Sequence, residues 1–135
     1  MTCKKILPLL LLMMLSSCNS ILDCVISDTR PELEDRELSS CQRFLFYNEL
    51  LSVEMQNASN SDYYISDVAT TGNVPDGITC VAEGMDVRIS GTPVDFGTYE
   101  FAIEITVKPY IVNEDGSGGI CSTQSKKNYS ISVIN

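Results

Sequence analysis

Six cysteines, at positions 3, 18, 24, 41, 80 and 121, are the side chains of this 135-residue chain best equipped for chemistry. A thiol can be acylated, paired in a disulfide or given to a metal as thiolate. The chain contains no histidine, which removes a Ser-His-Asp triad, a Cys-His pair and every histidine-based metal site together. A zinc site of four thiolates is disfavoured too, because no two of Cys24, Cys41, Cys80 and Cys121 are close enough in sequence to form a knuckle. Asn113, Asp115 and Ser117, with Gly118 and Ile120, stand at the offsets of a calcium-loop start. Asparagine at the first offset, and Gln124 where a bidentate glutamate is needed, favour an ordinary glycine-rich hairpin loop, so no metal is assigned. Glu100 and Glu104 could form an acid–base pair. Both lie on the polar side of an alternating stretch, which a solvated sheet face explains more simply. Neither a G-x-S-x-G nor a P-loop pattern occurs. The expectation is a protein without catalytic residues and without a cofactor.

The N-terminus carries a clearer signal. Lys4-Lys5 precede an apolar run from Ile6 to Leu15, then Ser16-Ser17. A basic start, a short apolar core and small residues describe a secretory signal. The run is too short to cross a bilayer, which takes about 20 apolar residues, and Pro8 interrupts it. Leu15-Ser16-Ser17-Cys18 resembles the lipobox of bacterial lipoproteins. The resemblance implies that residues 1–17 are removed and that Cys18 becomes the first residue and the lipid attachment site. Two or more acyl chains anchor stably, at about 0.8 kcal/mol per buried methylene. Asn19, rather than aspartate, follows Cys18, which resembles outer-membrane sorting. The implied location is the bacterial cell envelope, lipid-anchored at the outer membrane on its periplasmic or its surface face.

Charge narrows the partners. The chain has 18 acidic and 9 basic residues, a net charge of −9. Without residues 1–17 the balance is 7 basic against 18 acidic, a net −11. Nucleic acid is excluded as a partner, since its binding relies on Lys and Arg neutralising phosphates. An anionic membrane surface would also repel the domain, so the membrane is held through the lipid alone. The remaining length fits one domain. Four cysteines in an oxidising compartment suggest two disulfides, with three connectivities open.

The elements that must position these residues are strands. Residues 18–40 read as a lipidated tether, charged from Asp28 to Glu37, carrying Pro31 and lacking apolar periodicity. Residues 41–135 read as one domain. Leu51, Val53 and Met55 alternate with polar residues, as do Tyr99, Phe101, Ile103, Ile105 and Val107, and then Tyr129, Ile131 and Val133. Period two places successive side chains on opposite faces of a strand. Shorter strands fit Tyr63–Val68, Ile78–Ala82 and Val87–Ser90, with turn signals between them. The start of Phe44–Leu51 is ambiguous and could form a helical turn. Short strands at this spacing indicate an all-β antiparallel sandwich.

A series of three motifs sharpens the fold. Val74-Pro75-Asp76-Gly77-Ile78-Thr79 is followed by Ile89-Ser90-Gly91-Thr92-Pro93, then by Gly97-Thr98-Tyr99 entering the long strand. The series resembles the Ig-like modules of bacterial surface proteins, relatives of cadherin-like and dystroglycan-type sandwiches. It is clearest over residues 62–108. It departs at Val87, where the family has glycine, and in an extended loop carrying Cys121. The resemblance implies about seven strands and assigns Pro75, Gly77, Gly91, Thr92, Pro93, Gly97 and Tyr99 to the fold, with no activity. It also implies that Cys80 and Cys121 meet at one end of the sandwich, leaving Cys24 for Cys41. The free tether would then shrink to residues 19–23, about 17 Å at ~3.3 Å per residue. The functional expectation is a non-catalytic binding or adhesion module for a protein or glycan ligand at the envelope. A structural accessory of a larger envelope or secretion assembly is the second expectation.

Overall fold

The structure is a computed structural model, and it describes residues 28–112 and 120–135. Cys3, Cys18 and Cys24 lie outside the described residues, as do Asn113, Asp115 and Ser117. Eight strands form two four-stranded sheets: β1 (Arg30–Leu33), β2 (Cys41–Gln42), β3 (Tyr47–Gln56), β4 (Tyr63–Gly72), β5 (Ile78–Glu83), β6 (Asp86–Gly91), β7 (Gly97–Pro109) and β8 (Gln124–Ile134). One sheet has the order β1-β3-β6-β5 and the other β2-β8-β7-β4. All pairings are antiparallel except the short β2–β8 contact. This is the sheet order of an immunoglobulin-like sandwich. A 3-10 turn at Asn60–Asp62 is the one helical element among the described residues.

The alternation read from the sequence faces the core as expected. Phe101, Ile103, Ile105 and Val107 of β7 are buried against Leu51 and Val53 of β3 and Val87 and Ile89 of β6. Tyr99 is half-buried, because it starts the strand and its hydroxyl turns back to donate to the Asp95 carbonyl at 3.3 Å. That tie resembles the tyrosine corner of Ig sandwiches. A register shift between Ile65 and Asp67 marks a bulge, beyond which β4 continues to Gly72 by backbone pairing with β7.

The tether reading needs correction at its C-terminal half. Arg30–Leu33 pairs with β3 in the register Arg30↔Gln56 to Leu33↔Val53. Pro31 and Leu33 are buried while Arg30 and Glu32 face out. Proline is tolerated because β1 is an edge strand. The domain therefore includes residues well before position 41. The linker that follows crosses from one sheet to the other, held by Leu33 N–H donating to Ser125 Oγ (3.2 Å) and Tyr129 hydroxyl donating to Glu34 O (2.6 Å). Burial, with Asp35 and Glu34 nearby, pushes the Tyr129 phenol up to about 12.

Candidate functional site: an aromatic tip around Arg43

The motif residues build one end of the sandwich. Gly77 has φ +91° and Gly91 φ +143°, conformations that favour glycine. They are also in mutual contact: a Cβ on Gly91 would stand 1.9 Å from the Gly77 oxygen, and one on Gly77 would stand 2.1 Å from the Thr92 oxygen. Thr92 N–H donates to Gly77 O (3.0 Å) and Val94 N–H to Asp76 O (3.2 Å), so the Pro75-Asp76-Gly77 and Gly91-Thr92-Pro93 corners interlock. Pro75 and Pro93 are fully buried beneath them.

Onto this double corner the β2–β3 loop is fastened. Arg43 N–H donates to Ile134 O and Phe44 N–H to Pro93 O, both at 2.8 Å. Phe44 adopts φ +66°, which for a bulky residue is an outlier of the kind found at functional sites. The result is a tip of exposed apolar side chains: Phe44 (62% exposed), Phe46 (74%) and Phe96 (64%), with Leu45 and Val94. The Arg43 guanidinium lies over two of them, its carbon 4.7 Å from the Phe44 ring centroid and 5.5 Å from that of Phe96. Its Nε is buried and has no hydrogen-bond partner among the described residues. Asp95, next to Phe96 in the β6–β7 loop, forms no ion pair with Arg43. The tip lies where β3 begins. β1 starts beside Gln56, at the other end of β3, about 30 Å away at ~3.4 Å per residue.

A second polar cluster has a structural task. Glu49 accepts hydrogen bonds from Arg36 and the Tyr47 hydroxyl, and from Ser39 N–H at 3.2 Å. Arg36 also donates to Leu50 O at 2.6 Å. Together they lash the 34–40 linker to β3. Burial alone would raise the Glu49 carboxyl, but these hydrogen bonds outweigh it and hold it below its ordinary value. Burial and the neighbouring carboxylate push the Tyr47 phenol up.

The cysteines do not pair as expected. Cys41 and Cys80 are free thiols, so both the Cys80–Cys121 and the Cys24–Cys41 bonds are corrected. Cys121 is disulfide-bonded, to neither of them. The reason is topological. Cys121 N–H donates to Thr29 O (2.8 Å), next to β1, whereas Cys80 lies on β5, the opposite edge of that sheet. Three strand spacings of ~4.8 Å put them roughly 14 Å apart, beyond the ~7 Å Cα limit of a disulfide. Cys41 is buried at the start of β2, and burial pushes its thiol up. Burial pushes the Cys80 thiol up to about 11. The short-tether consequence drawn from Cys24–Cys41 falls with that bond.

Glu104 lies on the outer face of the second sheet, paired with Lys126 at 3.5 Å, and Glu100 is exposed on the same strand. Among the described residues no group of three His, Cys, Asp or Glu side chains is placed to hold a metal, and no helix is long and apolar enough to cross a membrane. Sequence reasoning missed the tip. Its signal was the unbroken apolar run Phe44-Leu45-Phe46 beside Arg43, which alternates in neither strand nor helix period.

No family model matches the chain, and no curated protein matches it by sequence. Solved structures resemble it in fold. The endo-fucoidan hydrolase MfFcnA4, from glycoside hydrolase family 107, matches in its H294Q form at TM-score 0.53 and 16% identity, over 79% of this chain and 14% of that one. The related hydrolase MfFcnA9 matches at TM-score 0.51 and 15% identity, over 86% of this chain and 19% of that one. The titin M3 domain matches at TM-score 0.45 and 13% identity, over 79% of this chain and 99% of that one. The chain thus spans less than a fifth of the hydrolases it resembles. What is common to them is the fold, and the chain is an Ig-like β-sandwich.

Proposed function

We propose that the chain is a non-catalytic binding module held at the bacterial envelope by a lipid on Cys18. The observation that carries this reading is the placement of the aromatic tip at the end of the sandwich away from the start of β1. Arg30 is the twelfth residue after Cys18, a reach of at most about 40 Å at ~3.3 Å per residue. A lipid at Cys18 would leave the tip on the side away from the bilayer. Exposed Phe and Arg clusters of this kind are the composition of interface hot spots.

Intact mass of the membrane-extracted protein tests the anchor. It should show residues 1–17 absent and Cys18 acylated, and an unmodified Cys18 or a retained signal would defeat the envelope reading. Protease treatment of intact cells separates the two envelope roles. Loss of the domain fits an adhesin, whereas protection fits an accessory of a periplasmic assembly.

A further inference from the structure

From the tip's chemistry we infer that it docks a protein segment presenting a carboxylate between apolar side chains. The inference rests on the tip being the binding surface, as proposed above, and adds the chemistry of its partner. Three observations carry it. The first is an imbalance of charge pairing. The chain has four arginines, and Arg30, Arg36 and Arg88 are ion-paired, with Asp28, with Glu34 and Glu49, and with Glu83. Arg43 is paired with no carboxylate among the described residues, although the chain carries twice as many acids as bases. The second is the immediate neighbours. The guanidinium carbon lies 4.7 Å over the Phe44 ring centroid and 5.5 Å over that of Phe96, and neither ring offers a carboxylate to its N–H groups, which leaves those groups for a ligand. A planar fork matches a carboxylate in bidentate geometry. The third is the surround. Phe44, Leu45, Phe46, Val94 and Phe96 are exposed around Arg43, with the exposed polar residues Gln42, Asp76, Thr92 and Asp95 in the same loops and corners. Apolar side chains flanking a carboxylate would cover the five apolar ones, whereas a glycan's hydroxyls would face them without hydrogen bonds.

Net charge adds register. The rest of the surface repels an acidic segment at long range, and the tip is where one finds an unmatched cation inside an apolar ring. The carboxylate fixes orientation, and the Phe side chains supply most of the buried area.

The test uses the whole chain and an array of synthetic 12-residue peptides. Each carries a central Asp or Glu between Phe, Leu or Val, and is matched to its Asn or Gln counterpart. Sulfated and carboxylated oligosaccharides form a separate arm. The acidic peptides should bind at least tenfold more tightly than their amide counterparts. Arg43→Gln should erase that preference, and Phe96→Ser should weaken acidic and amide peptides alike. All these positions are exposed or half-buried, and unchanged melting temperatures confirm that the variants fold. Equal binding of acid and amide peptides, an unchanged preference in Arg43→Gln, or binding confined to the oligosaccharides overturns the inference. In those cases a loss of binding to envelope-bound material in Phe46→Ser would still uphold the tip as the binding surface. If Phe46→Ser changes nothing either, both fall.

Discussion

Replacing Gly91 by alanine should destabilise the domain far more than the same change at Gly84. Both glycines have positive φ, +143° and +65°, so each substitution carries left-handed strain of roughly 1–2 kcal/mol. Their surroundings differ. Nothing lies within 4 Å of a Cβ built on Gly84, whereas on Gly91 it would stand 1.9 Å from the Gly77 oxygen and 3.1 Å from the Ile78 Cα. Both are backbone atoms, so the two corners must part. Parting them breaks the Thr92 N–H to Gly77 O bond, worth about 1 kcal/mol net and more if its groups stay buried. It also loosens the cover over Pro75 and Pro93. Gly91→Ala should therefore cost about 3–4 kcal/mol and Gly84→Ala about 1 kcal/mol. Thermal unfolding resolves the gap, at ~4–8 °C per kcal/mol for a domain near this size. Equal melting temperatures for the two variants would refute the interlocked corner and the role given to the Pro75-Asp76-Gly77 and Gly91-Thr92-Pro93 motifs.

Glu49 supplies acid sensitivity. Its carboxyl is held below its ordinary value in the folded chain. The stability it contributes is present above the unfolded value and is lost as pH falls through the folded one. Glu49→Gln should lower stability at pH 7 by about 1–3 kcal/mol and flatten the loss as pH falls below the ordinary carboxylate value, read by urea unfolding across pH. Ile103→Ala should cost roughly 2–5 kcal/mol as a buried truncation, whereas Glu104→Ala, half-buried on the outer face and ion-paired with Lys126, should cost under about 1 kcal/mol. For the thiols, alkylation at pH 8 should modify Cys41 and Cys80 slowly in the folded chain and quickly after unfolding, with Cys121 protected until reduction, as read by peptide mass.

The long strands were legible because burial on one face writes a period of two into the sequence, and β7 carries that pattern from Phe101 to Val107. The corner motifs were legible because backbone contact between Gly77 and Gly91 leaves no room for a side chain. β1 was not legible. Four residues carry too little alternation, and the apolar partners of Pro31 and Leu33 are Met55 and Val53 of β3, far away in sequence. Cysteine pairing failed for a related reason. It depends on which sheet edge Cys121 lies beside, and hydrogen bonds from Cys121 and Ser122 to Thr29 place it beside β1. The tip was hidden because three consecutive apolar residues in a loop satisfy no periodicity. Its meaning emerges only once Phe44 N–H meets Pro93 O and the Phe96 ring comes within 5.5 Å of the Arg43 guanidinium.

The most direct measurement of the central claim is site-specific photocrosslinking in the organism that makes the protein. A photoreactive amino acid replaces Phe46 at the tip in one strain and Glu100, on the outer face of the second sheet, in another. The account predicts a discrete crosslinked adduct from position 46 and none from position 100. Adducts from position 100 with none from position 46 would contradict it.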